Sequence, residues 1–181
     1  MSRGNILFLL SGSIACYKAC VAISRLAQAG VNVQTVATPA ALRFVGAATL
    51  EGLSGRPVFT DLFERGRALD HIDLARAADL ALVCPATANT INRLAHGLAD
   101  DPIGALFLAW EMKQKPWWVA PAMNGYMWDH PATEASLAKL RDWGVRVLDP
   151  VEGAHACGEI GPGRLMEPDQ IVAEVLATLP K

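Results

Sequence analysis

A single α/β domain spanning residues 1–181, Rossmann-like or flavodoxin-like, with a parallel sheet and helices on both faces, is the fold this sequence predicts. Three observations lead to it. Five short apolar runs recur along the chain, segments of helical periodicity separate them, and small or polar residues follow several of the runs directly. Parallel strands covered on both faces read as continuous apolar runs, and they need long crossovers, usually helices, to join them.

Each element has its own signal. The first strand, 5–10, runs into Ser11, Gly12, Ser13, Ile14 and Ala15, a turn that opens a helix over 15–29. Within that helix Cys16 and Cys20 share a face with Ile23 and Ala27. The second strand, 32–37, is followed by Thr38 and by Pro39, which suits a first helical position and predicts a helix over 39–53. The third strand, 79–84, ends before Pro85, Ala86 and Thr87, with Thr87 as N-cap of a helix over 89–97 and a second over 103–112. The fourth strand, 117–120, is predicted to leave the sheet at Pro121, which cannot donate to a ladder. A helix over 131–143, a fifth strand over 145–148 and a closing helix over 168–179 complete the series. Residues 55–70 and 149–167 read as irregular, and structureless stretches of that length are usually functional lids or mobile segments.

Composition narrows the function. The hydrophobic fraction is 52% and the formal net charge is −2, with no block of Lys or Arg to meet nucleic acid or anionic lipid. No apolar run approaches a membrane span, so a cytoplasmic location and a small-molecule partner are expected. The four cysteines, at 16, 20, 84 and 157, lack zinc-ligand spacing, and no metal is expected. Three read as small core residues, whereas Cys157 lies in a Gly-rich stretch where a thiol is partly accessible.

The strand ends carry the polar groups. The turn at Gly12, Ser13 and Ile14 lets a helix amino terminus approach an anion, and without a spaced G-x-G-x-x-G it suits a mononucleotide phosphate better than a dinucleotide. Thr38 ends the second strand, and Thr87, Ala88, Asn89 and Thr90 follow the third. Facing one crevice, these ends suit the phosphate, ribityl chain and ring edge of FMN. By pattern alone Asn124 reads first as a helix cap, His71 as a surface or helix-end residue, and Arg76 equally as a solvated charge or an anion clamp.

Taken together, Ser11 to Ala15, His71 with Asp73 and Arg76, Pro85 to Thr90, Pro121 to Trp128 as PAMNxxMW, and Ala156 to Arg164 as ACGxxGxGR resemble the flavin-dependent cysteine decarboxylase family. The match runs over essentially the whole chain and favours the branch acting on 4'-phospho-N-pantothenoylcysteine, as a free-standing decarboxylase without a fused synthetase domain. The resemblance implies formation of 4'-phosphopantetheine in coenzyme A synthesis with FMN as cofactor. It implies catalytic roles for His71 in thiol deprotonation and oxidation, for Asn124 at the substrate carboxylate, and for Cys157 as the final proton donor. It further implies an FMN site of Gly12, Ser13, Ile14, Thr38, Thr87, Ala88, Asn89, Thr90, Ala122 and Met123, and substrate contacts from Asn124, Met127, Arg76 and Ala156. Trimers or dodecamers, with each active site at a subunit interface, follow from it as well.

The chemistry explains such a set. Loss of carbon dioxide from a cysteine leaves a carbanion with no acceptor, so hydride must first leave the β-carbon to oxidised FMN, making a thioaldehyde that acts as the electron sink. An amide at residue 124 donates to the carboxylate without the opposite charge that would over-stabilise it. Two departures stand out: Thr87 where many relatives have Ser, and Pro39-Ala40 where some offer another hydroxyl and N–H. Alternatives are a peptidyl-cysteine decarboxylase, which stops at the enethiol and needs no Cys157, and a non-catalytic FMN-binding regulatory protein, which usually carries acidic extensions. Flavin prenyltransferases share the fold but lack PAMNxxMW.

Overall fold

The computed structural model describes residues 3–67, 69–154 and 160–180. Five parallel strands form the sheet: β1 (Asn5–Leu10), β2 (Asn32–Ala37), β3 (Leu80–Ala86), β4 (Trp117–Pro121) and β5 (Arg146–Val147), in the order β2-β1-β3-β4-β5. Strand order reverses between β1 and β3, which creates a crevice at their carboxyl ends. The fold is the doubly wound α/β arrangement expected from the alternating runs.

Alternation along each strand divides the core in two. Ile6, Phe8 and Leu10 face α1 (Cys16–Gln28) and α8 (Pro168–Thr178), while Leu7 and Leu9 join a second cluster with α4 (Ala88–Ala95), α5 (Pro102–Leu108) and α7 (Pro131–Asp142). Both faces of the central strands β1, β3 and β4 are therefore apolar, while the outer strands β2 and β5 carry partly exposed polar residues such as Gln34 and Arg146. The bulky Trp117 is fully buried, edge-on to Phe107 at 5.0 Å and to Trp110 at 5.6 Å.

Several elements differ from the sequence expectations. The helix expected over 39–53 is broken into a 3₁₀ turn, Ala41–Arg43, and α2 (Ala47–Ser54). Gly46 lies between them in an extended conformation (ψ 149°), and Thr38 Oγ1 accepts from the Ala41 N–H at 3.1 Å, holding the first turn tight. The stretch before the third strand contains α3 (Asp70–Ala77), which places His71 in a first helical turn. Pro85 lies inside β3 rather than after it, while Pro121 is the last residue of β4, where the chain leaves the sheet as expected. Pairing shifts register between Val83 and Ala86, and Ala86 pairs with Pro121, so the prolines fall where the ladder is already interrupted.

Residues 149–167 contain structure too: β6 (Val151–Ala154) and β7 (Ile160–Arg164) form an antiparallel hairpin. Met123 N–H donates to Gly163 O at 2.9 Å, which ties β7 to the turn after β4. Gly163 (φ +109°) allows that approach, since a Cβ there would meet the Met123 carbonyl. Among the described residues no helix is long and apolar enough to cross a membrane.

Candidate functional site

Ser11, fully buried at the end of β1, joins two strand ends. Its Oγ donates to Pro85 O at 2.7 Å, accepts from the Thr87 N–H at 3.0 Å and lies 3.3 Å from Thr87 Oγ1. Thr87 Oγ1 in turn caps α4 by accepting from the Thr90 N–H at 3.3 Å and sits 3.1 Å from Thr90 Oγ1. Thr38 at the end of β2 is bound back to β1, its N–H donating to Leu10 O at 3.1 Å. The three strand ends are thus locked to one another by short side chains.

An anion cradle lies over them. Gly12, Ser13 and Ile14 precede α1, and among the described residues their backbone N–H groups have no acceptor. The helix has no side-chain cap, so its positive amino end is open toward the same place. Only glycine fits at position 12: a Cβ there would lie 2.7 Å from the Ala40 Cβ and 3.0 Å from its carbonyl carbon.

A cavity of about 550 Å³ opens at these strand ends, lined by Ser11, Gly12, Thr38, Pro39, Ala40, Thr87, Asn89, Thr90, Arg93, Asp101 and Met127. That volume falls within the range of cofactor sites. Its lining brings together Gly12, Thr38, Thr87, Asn89, Thr90 and Met127 from the expected set. Ser13, Ile14, Ala88, Ala122 and Met123 adjoin the cavity in the chain without lining it. The fit to a mononucleotide is chemical: open N–H groups and neutral hydroxyls suit a phosphate and a polyhydroxyl chain.

Sequence reasoning passed over Ser11 as a site residue, and over Pro39, Ala40, Arg93 and Asp101. Asp101 had a readable signal, an Asp directly before Pro102, and it does cap α5 by accepting from the Gly104 N–H at 2.8 Å. Arg93 had a weaker one, lying one turn beyond Asn89 and Thr90 on α4.

Asn124 caps α6 (Gly125–Trp128), its Oδ1 accepting from the Tyr126 N–H at 2.8 Å. The cap uses the acceptor end of the amide, and the donor end is the half a carboxylate requires. Met127, on the same short helix, is 46% exposed and reaches the cavity.

His71 does not line the cavity. Its Nδ1 is buried without a hydrogen-bond partner among the described residues. Arg76 sits exposed in the last turn of the same helix. Around His71, Arg67 donates to Asp70 at 2.6 Å and to Glu64 at 2.9 Å, holding the incoming loop to the start of α3. Ala156 and Cys157 lie outside the described residues. The three other cysteines behave as core groups: burial pushes the thiols of Cys16, Cys20 and Cys84 up, which keeps them protonated and unreactive.

Comparison with known proteins agrees with this geometry. The family model described as Flavoprotein matches residues 1–180. The coenzyme A biosynthesis bifunctional protein CoaBC of Bacillus subtilis (strain 168) is 45% identical over 174 residues, covering 95% of this chain and 42% of that protein. The chain thus spans less than half the length of this curated relative. Among solved structures, a PPC decarboxylase mutant complexed with pantothenoylaminoethenethiol superposes with a TM-score of 0.82 at 30% identity, covering 95% of this chain and 96% of the other. The FMN-dependent cysteine decarboxylase SpaF superposes equally, with a TM-score of 0.82 at 30% identity over 97% of each chain. With a match over nearly its full length and a strand-end cradle to go with it, the chain belongs to the Flavoprotein family.

Proposed function

We propose that this protein binds FMN and decarboxylates 4'-phospho-N-pantothenoylcysteine to 4'-phosphopantetheine. The cavity carries the cofactor reading: open N–H groups at Gly12 in its lining and at the adjoining Ser13 and Ile14, beside the hydroxyls of Thr38, Thr87 and Thr90, suit a phosphate. The substrate reading is supported by the relative named for coenzyme A biosynthesis and by the neighbour complexed with pantothenoylaminoethenethiol.

When bound, the flavin would accept a hydride from the β-carbon and return one after carbon dioxide has left, so that the overall reaction is redox-neutral, and the chain's residues do the rest. His71 takes the thiol proton as hydride leaves the β-carbon. The Asn124 amide donates to the carboxylate and holds it in place. Arg76, Met127 and Ala156 position the remainder of the substrate. Cys157 gives the proton that completes the saturated product. The protein acts as a homo-oligomer, a trimer or a dodecamer, with the substrate enclosed between copies.

The equal match to SpaF supports one second reading, a peptidyl-cysteine decarboxylase that releases the enethiol. One experiment separates the two. The purified protein is expected to show a flavin absorption spectrum, to release FMN on denaturation, and to convert 4'-phospho-N-pantothenoylcysteine to a product with the mass of phosphopantetheine. A product lighter by about two mass units, one hydride and one proton short, would favour the second reading. Absence of any flavin after reconstitution would overturn both.

A further inference from the structure

The helix that carries His71 and Arg76 is held at its ends rather than along its side. Among the described residues of α3 only Ala75 is buried, whereas α4, equally long, buries Ala88, Thr90, Ile91, Leu94 and Ala95. A helix this short does not hold itself together, and so little apolar burial fixes it only weakly to the sheet. Polar groups supply what burial lacks. At the amino end Arg67 bridges Glu64 and Asp70. At the carboxyl end Lys115 Nζ donates to Ala75 O at 2.5 Å and to Arg76 O at 3.2 Å, two carbonyls of the last turn that the helix cannot satisfy itself.

Lys115 is in turn fixed to the framework. Its N–H donates to Glu111 O at 3.0 Å, its carbonyl accepts from Trp110 Nε1 at 2.9 Å, and its ammonium lies 4.5 Å from the centre of the Trp110 ring. Trp110 is buried edge-on to Trp117 of β4, and the next residue, Pro116, accepts through its carbonyl from the Ala81 N–H at 3.2 Å. The lysine side chain is thus a strut from the sheet to α3.

We propose that Lys115 is a positioning residue of the active site, setting α3 and through it the imidazole of His71. The inference rests on the decarboxylase reading above, in which His71 takes the thiol proton. Ala75, whose carbonyl the strut holds, lies one helical turn from His71, so a tilt at this end carries the imidazole with it. Misplacing a reacting group by about 1 Å costs on the order of a hundredfold in rate. No described residue of α3 lines the cavity, so flavin binding is insulated from that tilt.

Lys115→Met keeps the stem and removes the donors and the charge. In the FMN-loaded protein, mixed anaerobically with saturating 4'-phospho-N-pantothenoylcysteine, flavin reduction per bound FMN is expected to slow by roughly ten- to a hundredfold. The FMN dissociation constant should stay within about twofold of wild type, since sites without shared partners act independently. Lys115→Arg, which still offers N–H donors and a cation for the Trp110 ring, is expected to recover most of the rate. Lys115→Gln, whose side chain is one atom shorter, carries the same test should the Met variant not fold.

Reduction at the wild-type rate without the ammonium would overturn the inference. So would a slow rate matched by an equal loss of FMN affinity, or an Arg variant as slow as the Met one, because either result makes Lys115 a general stability residue. If His71→Asn also reduced the flavin at the wild-type rate, the catalytic reading of His71 would fall and this inference with it. A slow His71→Asn beside a normal Lys115→Met overturns this inference alone.

Discussion

Asn124 caps a helix through one atom of its side chain, and the proposed function assigns the substrate carboxylate to another. Its Oδ1 caps α6, and the amide N–H₂ remains the chemically suitable end for a carboxylate. The cap and the proposed carboxylate contact use different atoms, so the one does not exclude the other. Asn124→Asp tests this directly, because Asp caps a helix as well as Asn does but brings no donor and adds a negative charge. The thermal midpoint should hold while turnover falls by about tenfold to more than a hundredfold, the loss of a hydrogen bond to a charged group plus repulsion. Near-normal turnover would leave Asn124 as a cap only. Gly12 is the other residue where a single atom decides. A Cβ there meets the Ala40 side chain and backbone, so Gly12→Ala forces the cradle apart, at about 1 to 3 kcal/mol, or roughly a five- to hundredfold loss of flavin affinity by equilibrium titration. Gly52→Ala has nothing within 4 Å of the added carbon and should bind flavin as the wild type does.

At the scale of elements, what could be read from the pattern followed burial. Residues 6–10 and 117–120 are apolar on both sides, residues 32–37 carry buried Val33, Val36 and Ala37, and all three runs match their strands to within a residue. The hairpin of β6 and β7 was illegible for the opposite reason. Gly153, Gly161, Pro162 and Gly163 supply little apolar alternation, and the hairpin is held by contacts from distant segments. One is Met123 to Gly163; another is Glu167, whose Oε1 accepts from Lys18 Nζ at 2.9 Å and from Arg164 Nη2 at 2.5 Å. The Lys18 bond, with the two positive charges, holds the Glu167 carboxyl below its ordinary value of 4.5. A depressed folded value means stabilisation that is full above the unfolded pKa and is lost as pH falls through the folded one. Thermal midpoints of wild type and Glu167→Gln should therefore differ at neutral pH and converge only as pH falls below the ordinary carboxyl value of 4.5 and through the lowered one. The neutral-pH difference should be about 1 kcal/mol or less, because the carboxylate is 45% exposed and screened. A difference that persists in acid would show that the pair contributes through packing rather than charge.

The whole molecule places the site by topology. Reversal of strand order between β1 and β3 opens the crevice, and the Ser11 to Pro85 and Thr87 bonds hold its two sides together. That much was legible, because small and polar residues at strand ends need no tertiary knowledge to be noticed. The place of His71 was not, since α3 follows an irregular segment and its position depends on packing. In one chain His71 stays out of the cavity lining, with a buried and unpartnered Nδ1, while Met127 and the α4 residues line it. The segment leading to His71 also holds Phe63 and Leu69 in solvent, 89% and 68% exposed, as a surface meant for another chain would. These observations fit an active site completed by a neighbouring copy, with His71 reaching the cavity from across an interface. Two impaired variants then make the decisive mixture. His71→Asn and Asn124→Asp, each strongly impaired alone, should recover activity when refolded together. The recovered rate should be roughly a quarter of wild type, since random pairing in a cyclic assembly joins an intact His71 to an intact Asn124 at about one interface in four. If His71 and Asn124 act within one chain, every mixed assembly carries a broken site in each copy, and no activity returns.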